Sequence, residues 1–240
     1  MSGAAGMGRA GAARAVTGRL VVFEGPEGAG KTTQIDRLAA ALTAEGRPCR
    51  VVREPGTSEV GREIRRLVLD PAHDVTPATE ALLFLAARAQ LVERELLPAL
   101  AAGQTVLADR FFLSTYAYQV AGRGLPEPEV RAANRLATRG LVPDLTILLR
   151  VAPEVGLERA SRRSGFDRME GAGAAFHARV AAAFAAFADP AWQAAHAECG
   201  PIVEVDASGS EEEVAAAIRA ALDTHRTSVT PAAAMDGTSL

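Results

Sequence analysis

Residues Gly25 to Thr32 read GPEGAGKT, a GxxxxGK[ST] pattern. Its glycines let the backbone fold into a ring of inward N–H groups, and a helix opening behind that ring turns its positive end to the same spot. Such a ring cradles a chain of phosphates. Lys31 would reach the outer phosphates as a compact charge, and Thr32 would place a hydroxyl on Mg²⁺. Lys31 is also the only lysine among 26 Lys and Arg residues. It falls where a point charge serves and a broad, planar guanidinium does not. Its solitude excludes a GTP switch, because the guanine-reading NKxD segment needs a second lysine.

Further candidates follow other apolar runs. One run exits into Arg53-Glu54-Pro55-Gly56-Thr57, another into Asp109-Arg110 and on to Gln119. An Asp in such a place can hold Mg²⁺ directly or through water, and an Arg can clamp phosphate with two N–H groups. Phe84 and Arg88 lie four apart in a helical stretch and share a face. An aromatic plane beside a guanidinium suits a planar base bearing carbonyl acceptors. The segment from Glu158 to Glu170 carries four arginines across a Ser-Gly turn. A mobile loop of this kind could bring cations onto the charge of a phosphoryl group in flight. His73, His177, His196 and His225 have no motif around them and are read as structural or surface groups.

The elements that must position these residues form an alternating series. Apolar runs at Leu20–Phe23, Arg50–Arg53, Thr105–Ala108, Leu145–Leu149 and Ile202–Val205 read as strands. Their unbroken apolar character predicts burial on both faces, hence a parallel sheet. Helices are predicted over Lys31–Glu45, Val60–Leu69, Pro77–Ala102, Pro128–Arg139, Pro153–Arg163, Ala172–Cys199 (with a break at Pro190) and Glu211–Leu222. The fold class is α/β, a five-stranded parallel sheet with helices on both faces. Ligands of such sheets bind beyond the carboxyl ends of the strands, where the candidates above cluster. One domain is expected over 19–224, with an Arg-rich lid at about 159–171. The Gly/Ala-rich residues 1–18 and the polar residues 225–240 read as flexible extensions.

Composition narrows the function. The chain has 240 residues, 48% of them hydrophobic and 23% charged, with a net charge of −3. A globular fold is expected, and the mild acidity argues against a protein that wraps nucleic acid. No apolar run is long enough to span a membrane, and no charged-then-apolar leader is seen. Cys49 and Cys199 belong to no metal or disulfide pattern. A reduced, cytoplasmic enzyme is the expectation. The alternatives are a kinase for another small acceptor and a non-catalytic nucleotide-binding module.

Several motifs in order carry a resemblance: GPEGAGKTT (25–33), REPG (53–56), FLAARAQL (84–91), DRFFLSTYAYQ (109–119), PDLTILL (143–149) and DRME (167–170). From about Gly18 to Ala221 the chain resembles the bacterial thymidylate kinases, P-loop nucleoside monophosphate kinases. The resemblance implies transfer of the γ-phosphoryl group of ATP to dTMP with Mg²⁺, and a homodimer. It implies that Gly25, Glu27, Gly28, Ala29, Gly30, Lys31, Thr32 and Thr33 surround the ATP phosphates, with Arg163, joined by Arg159 or Arg168, reaching them from the lid. Thr32 and Asp109 would serve the metal. Glu27 would lie near the sugar 3′-hydroxyl of dTMP, Arg53 and Arg110 on its phosphate, and Phe84 against thymine. Arg88 would donate to a thymine carbonyl. Ser114 and Gln119 would line the base pocket, while Tyr118 would crowd the 2′ position. Lys31, Arg110 and Arg163 would be catalytic. Gly28 stands where one branch of the family has an arginine, which leaves the lid to supply the catalytic one. Thr57 replaces the second glycine of the usual REPGGT, and Val120-Ala121 stands where glycines are usual. Leu82, Leu83 and Leu91 could serve core or interface.

Overall fold

The computed structural model describes residues 18–47, 49–161 and 168–225. Five parallel strands form one sheet in the order β2-β3-β1-β4-β5. They are β1 (Arg19–Glu24), β2 (Cys49–Arg53), β3 (Thr105–Asp109), β4 (Leu145–Arg150) and β5 (Ile202–Asp206). The pairings run Val21 with Leu107 and Val51 with Leu107 on one side, and Val21 with Leu145 on the other.

Successive strand residues point to opposite faces, so β1 feeds two cores. Leu20 and Val22 join a cluster with Val106, Leu96, Leu100, Phe111, Phe112 and Phe176. Val21 and Phe23 join Ile35, Leu38, Leu42, Ile147 and Ile218 on the other face. Burial on both faces holds for β3, β1 and β4. It fails for β2, where Val51 is exposed, and for β5, of which only Val205 is buried. Both are edge strands, each covered less completely than its inner neighbour.

The helices follow the expected order. They are α1 (Lys31–Ala44), α2 (Glu59–Leu69), α3 (Pro77–Leu91) and α4 (Leu97–Ala101). Then come α5 (Phe112–Thr115), α6 (Glu127–Thr138), α7 (Pro153–Ser161), α8 (Ala174–Ala186), α9 (Pro190–Ala195) and α10 (Glu211–Thr224). Their starts carry local signals. Ser58 and Thr76 cap α2 and α3, and Ser210 with Glu213 forms a reciprocal capping box on α10.

One expectation needs correction, and a second, already broken at Pro190, is refined at its far end. The single helix over Pro77–Ala102 is instead α3 and α4 joined by a wide π-helical turn, Val92–Leu96. Pro98 lies in the first turn of α4, and its ring would clash with the carbonyl of Arg94 in an unbroken α-helix. The helix over Ala172–Cys199 is divided into α8, α9 and a short 3-10 turn, Ala197–Cys199, with Pro190 opening α9. One element had no sequence signal: α5 runs directly into a second π-helical turn, Tyr116–Gly122.

Candidate active site

The exits of β1, β2 and β3 meet at one cleft of about 360 Å³. The loop from Gly25 to Gly30 closes one end. Its glycines carry φ of 138°, 71° and 85° at positions 25, 28 and 30, values that side chains rarely tolerate. Lys31, the first residue of α1, is nearly buried and donates to the carbonyls of Gly25 (2.9 Å) and Pro26 (2.8 Å). Burial, aided by the charge of Arg110, lowers its ammonium to about 7. The ammonium is therefore held over the loop that would receive phosphate.

Thr32 and Asp109 come together, with the Thr32 hydroxyl donating to Asp109 Oδ2 at 3.2 Å. Arg53 joins them. Its Nη2 donates to Thr32 Oγ1 at 2.8 Å, and its Nε lies 3.3 Å from Asp109 Oδ2. Arg110 takes the left-handed backbone, φ 74°, and turns its guanidinium to Ser114 Oγ (3.0 Å) and over the ring of Tyr118. The buried carboxylate of Glu24 accepts from the backbone of Phe111 (2.7 Å) and Ser114 (3.1 Å) and from the Ser114 hydroxyl (2.6 Å). It fixes the start of α5 against the end of β1.

Phe84, Arg88, Tyr118 and Gln119 line the far end of the cleft, with Met169 and Leu69. Arg88 is 2% exposed. Its Nε donates to both oxygens of Glu54 (2.8 and 3.0 Å), its Nη2 donates to the carbonyl of Phe111 (2.7 Å) and pairs with Glu54 Oε1 (2.5 Å), and its Nη1 donates to Asn134. Arg88 is thus bound to protein on most sides, and the second hydrogen of Nη1 is what it retains for a ligand. Burial pushes the Glu54 carboxyl up, and Arg88 opposes that shift.

Most expected residues therefore meet. Glu27, Gly28, Gly30, Lys31, Thr32, Arg53, Phe84, Arg88, Asp109, Arg110, Ser114, Tyr118 and Gln119 line the same cleft. Three loop residues serve it from behind. Gly25 gives its carbonyl to Lys31, Ala29 packs into the core, and Thr33 continues α1. The lid arginines differ from expectation. Arg159 donates to the carbonyl of Ala207 (3.1 Å), after β5, and not into the loop. Arg168 donates to Val68 O (2.8 Å) and to Glu80 Oε2 (2.6 Å), the carboxylate that also holds Gln119. Arg163 lies outside the described residues. Sequence reasoning missed Glu24, Arg65, Glu80, Arg123 and Asn134. Glu24 alone had a signal: it is a carboxylate ending an apolar strand just before the loop.

A family model described as Thymidylate kinase matches residues 23–218. The chain belongs to the thymidylate kinase family. It is 47% identical over 205 residues to a thymidylate kinase of Deinococcus radiodurans, covering 85% of this chain and 96% of that one. It is 47% identical over 201 residues to one of Synechococcus sp. (strain JA-3-3Ab), covering 83% and 92%. A relative from Carboxydothermus hydrogenoformans is 45% identical over 167 residues, covering 70% and 82%. Membership makes the chain a nucleotide-binding phosphotransferase.

The three places that the resemblance singled out now have physical accounts. Thr57 lies outside the left-handed region, and its hydroxyl accepts from Arg53 N (2.7 Å) and donates to Arg53 O (3.1 Å). The side chain closes the turn at the edge of the sheet. Gly28 has no room for any side chain, because a Cβ there would stand 2.0 Å from the carbonyl oxygen of Gly156 in α7. The helix leading to the lid seats directly on the phosphate loop. Val120 and Ala121 fall within the second π-helical turn, and Val120 packs at the edge of the core.

Proposed function

We propose that this chain transfers the γ-phosphoryl group of ATP to dTMP, giving dTDP and ADP. The observation that carries the reading is the placement of Lys31, Thr32, Arg53, Asp109 and Arg110 on a phosphate loop, with Phe84, Arg88 and Gln119 across the same cleft. One end suits phosphates and the other a planar base.

The acceptor phosphate oxygen is already a nucleophile, so no general base or covalent intermediate is required. The work is alignment and neutralisation of charge along an in-line displacement. Lys31 would leave its loop carbonyls for the outer phosphates of ATP. Arg53 and Arg110, on the exits of neighbouring strands, would hold the acceptor phosphate facing them. Arg163 is assigned to the lid side of the transferred group, which makes its loss an effect on kcat and not on KM for dTMP.

The donor set fits Mg²⁺: a hydroxyl and a carboxylate oxygen 3.2 Å apart are hard ligands. Among the described residues no group of three or more His, Cys, Asp or Glu could hold a metal alone. Thr32 and Asp109 would therefore share it with the phosphates of ATP. When bound, the ion neutralises charge on those phosphates. No described helix is long and apolar enough to cross a membrane. For a homodimer, the support is Leu82 (63% exposed) on α3 and Leu136 (82%) on α6, while Leu91 belongs to the core. Partners other than nucleotides and a second copy, nucleic acid or membrane among them, are not part of the proposal, and a cytoplasmic location is.

Lys31→Ala tests the reading. Turnover with ATP and dTMP is expected to fall by about two orders of magnitude or more, as when an electrostatic stabiliser is removed. A near-normal rate in this variant would overturn it.

A further inference from the structure

Gln119 and Arg88 offer polar groups to the base end of the cleft, and each is backed by a buried carboxylate. Glu54 backs Arg88. Glu80, on α3 and fully buried, backs Gln119. Glu80 Oε1 accepts from Gln119 Nε2 (3.0 Å) and Arg123 Nε (3.1 Å). Its Oε2 accepts from Arg123 Nη2 (2.8 Å) and Arg168 Nη2 (2.6 Å). An ionised carboxylate only accepts hydrogen bonds. Burial raises the Glu80 carboxyl, but the bonds from Arg123, Gln119 and Arg168 outweigh it and hold it below the usual range. The Gln119 amide can then face it only through Nε2. Its Oε1 is left for the cleft that Gln119 lines.

We propose that Glu80 is a positioning residue that fixes the amide polarity of Gln119 and so makes the pocket select a 4-oxo pyrimidine over a 4-amino one. The inference rests on the nucleotide-acceptor reading above. An acceptor at Gln119 Oε1 and a donor at Arg88 Nη1 complement a base edge that offers an N–H beside a carbonyl. Thymine has that edge. Cytosine offers the reverse, a ring nitrogen acceptor beside an amino donor, and would set lone pair against lone pair at Gln119.

Glu80→Gln tests the polarity. The new amide has one carbonyl oxygen, and the Oε2 position holds it most strongly, because three guanidinium N–H groups reach that position: Arg123 Nη2 (2.8 Å), Arg168 Nη2 (2.6 Å) and Arg123 Nε (3.2 Å). Its NH₂ then faces Gln119, whose amide must turn over and present Nε2 to the cleft. The readout is kcat/KM for dTMP against 5-methyl-dCMP, two acceptors that differ only at the N3 and C4 edge. The ratio should fall by about tenfold or more in Glu80→Gln, the scale set by mispaired polar groups in a binding site. It should stay near wild type in Glu80→Asp, which keeps a carboxylate, even where absolute rates drop. A purely structural role would lower both acceptors together, and an unchanged ratio in Glu80→Gln would overturn the proposal. Should that variant fail to fold, Glu80→Ala gives the decision, because it leaves the Gln119 amide with no carboxylate to face: a lowered ratio supports the proposal and a wild-type ratio overturns it. Wild-type protein that ignores dTMP would instead overturn the functional reading itself.

Discussion

Lys31 is the only lysine of the chain, which makes its charge state directly observable. Burial lowers its ammonium to about 7 before any phosphate arrives. The group therefore binds fewer protons in the folded protein than unfolded between pH 7 and about 10.4, so its contribution favours folding more as pH rises through that window. Phosphates act oppositely on the free protein: they favour the charged form, so nucleotide affinity should weaken above pH 7, by up to about tenfold per pH unit. With lysine-selective ¹³C labelling, one side-chain Cε resonance should titrate near pH 7 in the free protein and far higher with ATP bound. A midpoint near about 10.4 without ATP would contradict this account. At this scale the sequence was informative for residues whose place is local. Lys31 and Thr32 stand in a motif, and Arg53, Asp109 and Arg110 stand at strand exits. Glu80 and Asn134 carry no such mark, because they act by holding other side chains across the fold. The contacts of Arg159 and Arg168 carry no such mark either: a guanidinium finds whichever carboxylate or carbonyl the tertiary structure brings near.

Among the elements, the contact of α7 with the phosphate loop has the sharpest consequence. A methyl group at Gly28 would meet the Gly156 carbonyl oxygen at 2.0 Å, whereas one at Gly30 would meet nothing within 4 Å. Both glycines have positive φ, so both alanine variants bear backbone strain. Gly28→Ala adds a collision with backbone and should cost about 1–3 kcal/mol more than Gly30→Ala. Thermal unfolding of the two variants measures the difference, and equal melting temperatures would remove α7 from the loop. The strands were readable to within a residue or two because buried apolar runs are short and bounded. Both π-helical turns were invisible. The first keeps a helical apolar spacing, with only Pro98 to hint that the ladder must open, and the second has no helical pattern at all. The edge strands were read as too deeply buried, since an apolar run says nothing of its place in the sheet.

For the whole molecule, the decisive fact is the order β2-β3-β1-β4-β5. Periodicity identified a parallel sheet but not this order, which depends on how the crossovers return. Setting β3 between β2 and β1 brings Arg53, the Asp109-Arg110 pair and the Gly25 loop side by side at one end of the sheet. In the proposed function, one end of this cleft takes phosphates and the other a base, as a phosphoryl transfer between two nucleotides requires. The most direct test is ADP release by the wild-type protein with ATP and Mg²⁺ across dTMP, dUMP, dCMP, dGMP and AMP. Release should depend on the acceptor, match dTDP formed mole for mole, and favour dTMP over the purine nucleotides by about a hundredfold or more in kcat/KM. ADP release that ignores the acceptor, or that runs faster with dGMP or AMP, would contradict the account.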